Sequence, residues 1–158
     1  MNHVIGISDM KVSHRDEDTL VTYSLGSCVG LSLYDPKACV GGLIHCMLPL
    51  SKIDPTKAKN NPHMFTDTGI PALLQAVFDL GAERKRLVAK VAGAARLLDT
   101  KGLFKIGERN HTVLRKILWK NNVLIDAEDT GGTKARTMTL YMETGMTTIK
   151  SGGVEVEL

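Results

Sequence analysis

Cysteine is scarce and unpatterned in this chain: Cys28, Cys39 and Cys46 are the three present, and no Cys-x-x-Cys spacing occurs. An odd, unspaced set excludes a disulfide framework and suits reduced thiols. No apolar stretch is long enough to span a bilayer, and Met1-Asn2-His3-Val4-Ile5-Gly6 has neither the basic start nor the apolar run of a secretion signal. The expected location is cytoplasmic, with no membrane insertion. Glycine motifs that cradle phosphate, internal repeats and His-x-x-x-His pairs are also missing. His45 and Cys46 are adjacent, with His63 and His111 elsewhere, but neighbours on a strand point to opposite faces and cannot easily share one ion. Neither a metal nor a cofactor is therefore expected. An excess of one charge is lacking too, since 20 Lys and Arg against 17 Asp and Glu leave only +3. The short basic cluster Arg84-Lys85-Arg86 has no interleaved aromatics and reads as a solvated loop, not a nucleic-acid patch.

What is present is a chain of 158 residues, 43% hydrophobic, enough for one domain over 1–158 with a real core. From Val4 to Met47 the pattern is mostly strands and turns. A polar stretch from Ser51 to His63, broken by Pro55, Asn60, Asn61 and Pro62, reads as a long loop, either a surface excursion or a cover beside a site. Ile70, Leu73, Leu74, Val77 and Phe78 form a helical stripe over about 67–80, with Pro71 in the first turn and Gly81 as the stop. Leu87–Val91 reads as a strand running into Ala92-Gly93-Ala94-Ala95, small residues that allow close backbone approach. A second helix is expected over about 107–120, burying Val113, Leu114, Ile117 and Leu118, followed by strands at 123–127, 137–142 and 146–150. The fold class is α/β, a layered sandwich of mixed β-sheet and helices.

The chemistry centres on Cys28, in Leu25-Gly26-Ser27-Cys28-Val29, and His45, in His45-Cys46-Met47-Leu48-Pro49. A thiol becomes a useful nucleophile only as thiolate, and an imidazole is the usual base that makes one near neutral pH. Residues 29–33 and 40–44 read as a hairpin around Asp35-Pro36-Lys37-Ala38. If Pro36 and Lys37 are its two central residues, Leu33 pairs with Val40 and Cys28 falls directly opposite His45, with Cβ atoms roughly 4.5–5.5 Å apart. Val29, Leu31, Leu33, Val40 and Ile44 then form the core face, and Cys28, Gly30, Ser32, Leu43 and His45 the other. Taken singly, a strand cysteine or histidine is more often a packed residue than a catalyst. Sharing one face of a hairpin reverses those odds only together with the two motifs that carry the pair, and Cys39 and Cys46 read as small buried residues.

The Leu-Gly-Ser-Cys and His-x-Met-Leu-Pro motifs, with Gly107-Glu108-Arg109-Asn110 at a helix start, closely resemble the chemoreceptor glutamine deamidases, the CheD family, over nearly the whole chain. The resemblance implies a catalytic set of Cys28, His45 and Thr22. It implies a sandwich similar to the cytotoxic necrotising factor-type deamidases. The implied reaction is hydrolysis of receptor glutamine amides to glutamate through a thioester, and the family also suggests esterase action on methylglutamates. The implied partners are the cytoplasmic domains of methyl-accepting chemotaxis receptors and a CheC-type phosphatase. Val91-Ala92-Gly93-Ala94 departs from the aromatic-Gly-Gly-Ala often found at that place in the family. In such a mechanism backbone N–H groups stabilise the tetrahedral oxyanion, and the Gly26-Ser27-Cys28 turn is the expected source, with Gly26 and Ser27 shaping it. The alternative is a non-catalytic adaptor that binds the CheC-type phosphatase.

Overall fold

The computed structural model describes residues 1–96 and 105–158. Two five-stranded sheets and a helical layer stack on one another. The first sheet orders β1 (Asn2–Val4), β3 (Thr19–Leu25), β8 (Arg136–Tyr141), β9 (Met146–Ser151) and β10 (Val154–Glu157). The second orders β2 (Asp9–Ser13), β5 (Val40–Cys46), β4 (Val29–Asp35), β6 (Val88–Gly93) and β7 (Ile125–Thr130). Both are mixed, with β1–β3 and β6–β7 parallel and the remaining pairs antiparallel. The α/β layered sandwich expected from the sequence is the architecture observed.

Strands β4 and β5 are buried at every position, which marks them as the middle of the molecule. Their outward side chains Val29, Leu31, Leu33, Val40 and Ile44 pack with Ile70, Leu73, Leu74 and Val77 of α2 (Thr66–Asp79) and Leu114 and Leu118 of α3 (Ile106–Lys120). The helical stripes do this directly, since residues three and four apart share one face of a helix. Val113 and Ile117, expected in the core, are only half-buried because the α3 stripe centres on Leu114 and Leu118.

The opposite face of the hairpin is also a core. Tyr34, Leu43 and Ala92 meet Leu20, Leu25, Met138, Leu140 and Ile149 of the first sheet and Met142 just beyond β8, so the thiol face looks into a second apolar layer between sheets.

The hairpin register differs from expectation by two residues. Asp35 pairs with Val40, Leu33 with Gly42 and Gly30 with His45, so Cys28 does not lie directly opposite His45. The cause is the turn: Cys39 adopts a left-handed φ of 57°, its N–H donates to the Asp35 carbonyl at 2.8 Å, and the Asp35 carboxylate accepts from the Lys37 and Ala38 N–H groups. Four residues, not two, then close the hairpin. A shift of two leaves every side chain on its expected face, because strand side chains alternate with period two.

The 51–63 stretch is not an irregular loop. It folds as short helical turns at Ser51–Ile53 and Pro62–Met64 flanking α1 (Pro55–Asn60), capped by the Asp54 and Asn61 side chains. The basic cluster also differs from a merely solvated loop, because Arg86 donates from Nε to the fully buried Asp35 carboxylate at 2.9 Å.

Candidate active site

Strand β3 breaks register between Thr22 and Leu25, and Ser24 takes a left-handed φ of 59°. This bulge throws Tyr23 and Ser24 to the surface while Thr22 and Leu25 stay buried. The chain then turns through Gly26-Ser27-Cys28 into β4. All three carbonyls of that turn are held: Gly26 O by the Ala95 N–H at 2.8 Å, Cys28 O by the Ala94 N–H at 2.8 Å, and Ser27 O by the Asn110 side-chain amide at 2.9 Å. The close approach depends on Gly93, whose φ is +102° and where a Cβ would meet the Cys28 carbonyl at 2.4 Å. The small-residue run expected to permit backbone contact does so against the Cys28 carbonyl. Among the described residues the N–H groups of Ser27 and Cys28 donate to no protein oxygen.

Cys28 is half-buried against the layer between the sheets. His45 points into the same layer from β5, where it pairs with Gly30, two residues along the chain from Cys28. Thr22 comes from the other sheet. Its Oγ1 lies 2.7 Å from His45 Nδ1 and 2.7 Å from the Ile5 carbonyl oxygen. A hydroxyl has one proton, and a carbonyl can only accept. Thr22 therefore donates to Ile5 and accepts from His45, so Nδ1 carries the imidazole proton and Nε2 carries the lone pair. Nε2 is buried with no hydrogen-bond partner among the described residues. Buried polar atoms are nearly always paired, and an orphaned imidazole lone pair is the expected state of a base awaiting a proton.

Burial decides the charge state. It pushes the Cys28 thiol up to about 11, against a smaller opposing effect of its own backbone N–H, and lowers His45 to about 4. At neutral pH the pair rests as thiol and imidazole, not as an ion pair. Cys46 is fully buried and its thiol is pushed higher still by desolvation, while Cys39 sits half-buried in the hairpin turn. Neither is placed with a base.

Residues 47–151 match the family model described as CheD chemotactic sensory transduction. The chain belongs to the CheD family. A probable chemoreceptor glutamine deamidase CheD of Solibacter usitatus is 48% identical over 155 residues, covering 98% of this chain and 92% of that relative. A probable chemoreceptor glutamine deamidase CheD 1 of Syntrophus aciditrophicus is 51% identical over 150 residues, covering 95% and 94%. A third, from Anaeromyxobacter dehalogenans, is 40% identical over 148 residues, covering 94% and 93%.

In this CheD chain the structure brings Thr22 and His45 into contact across the two sheets, and places Cys28 where the chain turns into β4, the strand paired with β5. It keeps His111 apart, bonded to Glu128 of β7 at 2.6 Å. Among the described residues no group of three or more His, Cys, Asp or Glu side chains could hold a metal ion, and no helix is long and apolar enough to cross a membrane.

The residue that sequence reading left without a role is Asn110. It is fully buried, its amide donates to Ser27 O at 2.9 Å and to Met47 O at 3.1 Å, and its Oδ1 accepts from the Thr66 hydroxyl at 3.1 Å. The signal was in the periodicity, since Asn110 falls four and eight residues before Leu114 and Leu118 on the buried stripe of α3. The helical turns of 51–63 also reach the site's flank: Asn61 donates to the Ser8 carbonyl, and the Ser8 N–H donates to the His45 carbonyl.

Proposed function

We propose that this protein hydrolyses glutamine side-chain amides of chemoreceptor cytoplasmic domains to glutamate, with Cys28 as nucleophile, His45 as general acid and base, and Thr22 as the group that fixes the imidazole. The observation that carries this reading is the Thr22–His45 contact, which places the proton on Nδ1 and leaves a buried, unpartnered Nε2 on the thiol's side of the sheet.

The steps follow from those positions. Because thiol and imidazole are both neutral at rest, proton transfer from Cys28 Sγ to His45 Nε2 accompanies attack on the amide carbon. The S–C bond forms and the carbonyl π electrons move to oxygen. N–H groups of the Ser27-Cys28 turn, unengaged by described residues, suit that oxyanion. Collapse of the intermediate breaks the C–N bond as Nε2–H protonates the leaving nitrogen, so ammonia departs and a thioester remains. Water, deprotonated by the same Nε2, hydrolyses the thioester to glutamate and returns the proton to the thiol. The Nδ1–H bond to Thr22 stabilises the transient imidazolium, less strongly than a carboxylate in that place. A methylglutamate ester fits the same sequence, with methanol as the leaving group.

The test is peptide mass spectrometry on receptor cytoplasmic fragments incubated with the protein and with its Cys28→Ala variant. Glutamine-to-glutamate conversion by the parent alone is expected. Absence of conversion by either, against several receptors of one cell, defeats the reading and favours the adaptor that binds a CheC-type phosphatase.

A further inference from the structure

The buried amide of Asn110 is out of place on energetic grounds. It occupies the α3 stripe above Leu114 and Leu118, where an apolar side chain would pack without the cost of removing an amide from water. Its hydrogen bonds point to what it does there. One N–H holds the carbonyl of Ser27, the residue before the nucleophile, and the other holds the carbonyl of Met47, two residues beyond His45. The Thr66 hydroxyl at the start of α2 shares its proton between Asn110 Oδ1 at 3.1 Å and the Leu48 carbonyl at 3.2 Å, which helps orient the amide. One rigid side chain therefore ties together the segments that carry the thiol and the imidazole.

Peptide planarity converts this tie into a direction. In a trans peptide the C=O and the following N–H point oppositely. Drawing the Ser27 carbonyl toward α3 turns the Cys28 N–H away from α3, into the space beside the thiol. That N–H lies against its own sulfur and donates to no oxygen of a described residue. The flanking carbonyls of Gly26 and Cys28 are held by the Ala95 and Ala94 N–H groups, so the plane cannot rotate freely while Asn110 stays in place.

We infer that Asn110 is a positioning residue that sets the Ser27–Cys28 peptide so that the Cys28 N–H faces the oxyanion. The inference rests on the deamidase reading above, and deamidation needs that N–H only after the carbonyl has been attacked. Alkylation of Cys28 by iodoacetamide is displacement at saturated carbon and forms no oxyanion. The two reactions therefore separate a misaimed N–H from a damaged site.

In Asn110→Ala, kcat for deamidation of a receptor fragment should fall on the order of 10²-fold, the scale of losing one oxyanion donor, with KM within about twofold of the parent. The rate of Cys28 alkylation and its pH profile should stay at the parent's. Thr66→Val, which keeps its shape and frees the Asn110 amide, should show the same split with a kcat loss of roughly tenfold, and it serves if Asn110→Ala does not fold. An unchanged kcat in a folded variant overturns the inference and leaves the deamidase reading intact. Parallel loss of deamidation and alkylation also overturns it, assigning Asn110 to the shape of the site. A parent that alkylates at Cys28 yet converts no glutamine overturns both.

Discussion

Lowering the pH from 7 to 5 should destabilise this protein by about 2 kcal/mol through His45 alone. Burial holds the folded imidazole at about 4, below its ordinary 6.5, whereas the unfolded chain titrates normally. Between those values the unfolded state binds the proton and the folded state refuses it. Stability is therefore complete above about 6.5 and falls as the pH drops toward 4, the reverse of a histidine stabilised by an acidic partner. The other shifted groups act elsewhere: Asp18 and Asp35 below 3.8, Glu155 below 4.5, and the raised thiols and tyrosines above 9. Urea unfolding at pH 7, 6 and 5 measures the slope, and His45→Leu is the control. That variant loses the titrating group while Thr22 keeps its proton on the Ile5 carbonyl, so no polar atom is stranded. The parent should lose stability across the window and His45→Leu should not. A flat parent, or an identical slope in both, refutes the buried neutral imidazole and with it the assignment of Nε2 as a waiting base.

Thr22→Val strands the Nδ1–H and the Ile5 carbonyl, so kcat should fall by roughly tenfold to a hundredfold for about 1–3 kcal/mol, whereas Thr22→Ser keeps both bonds and stays near the parent. Ammonia release under saturating substrate reads this, and a loss at Thr22→Ala equal to that at Cys28→Ala would count against an orienting role. Gly93→Ala combines left-handed backbone strain with a clash on the Cys28 carbonyl, and Gly81→Ala, at a φ of +108° with open space around it, carries strain alone. Thermal denaturation should therefore place Gly93→Ala lower than Gly81→Ala, with activity lost only in the former. Asp35→Ala removes a carboxylate held by Arg86 and by the N–H groups of Glu83, Ala38 and Lys37, and should cost about 3 kcal/mol in urea unfolding. Burial alone would raise that carboxyl; these donors outweigh it and hold it at about 2, so its stabilisation is present above 3.8 and disappears in acid as the pH falls toward 2.

Side-chain periodicity made most of the fold legible. The stripes Ile70–Val77 and Leu114–Leu118 and the alternation along 29–33 and 40–44 each specified a buried face, and those faces are the ones observed. Turn geometry was not legible to the same degree. Pro36 suggested a two-residue turn, but the Asp35 carboxylate organises a wider one, so Gly30 and not Cys28 stands opposite His45. The second apolar layer was missed because the hairpin face bearing Gly30, Ser32 and His45 looks polar until Met138, Leu140 and Met142 arrive from far along the chain. Strand β10 escaped notice because its Val-Glu-Val-Glu sequence is exposed at every position on a sheet edge. The proposed set was named from motifs and residue types, which say nothing of orientation: the proton on Nδ1 depends on the Ile5 carbonyl, and no pattern around Thr22 announces it.

Cys28 leads into the sheet that holds His45, and Thr22 belongs to the other, so the proposed set straddles the plane between the two sheets. Hydrogen bonds within each sheet leave that plane to apolar contacts and a few polar ties such as Ser32 with Thr147. A sideways shear of about 2 Å would leave every strand intact and yet open the 2.7 Å contact between Thr22 and His45 past hydrogen-bonding range. On the proposed mechanism, activity should therefore report on sheet alignment and fall with slippage before secondary structure melts.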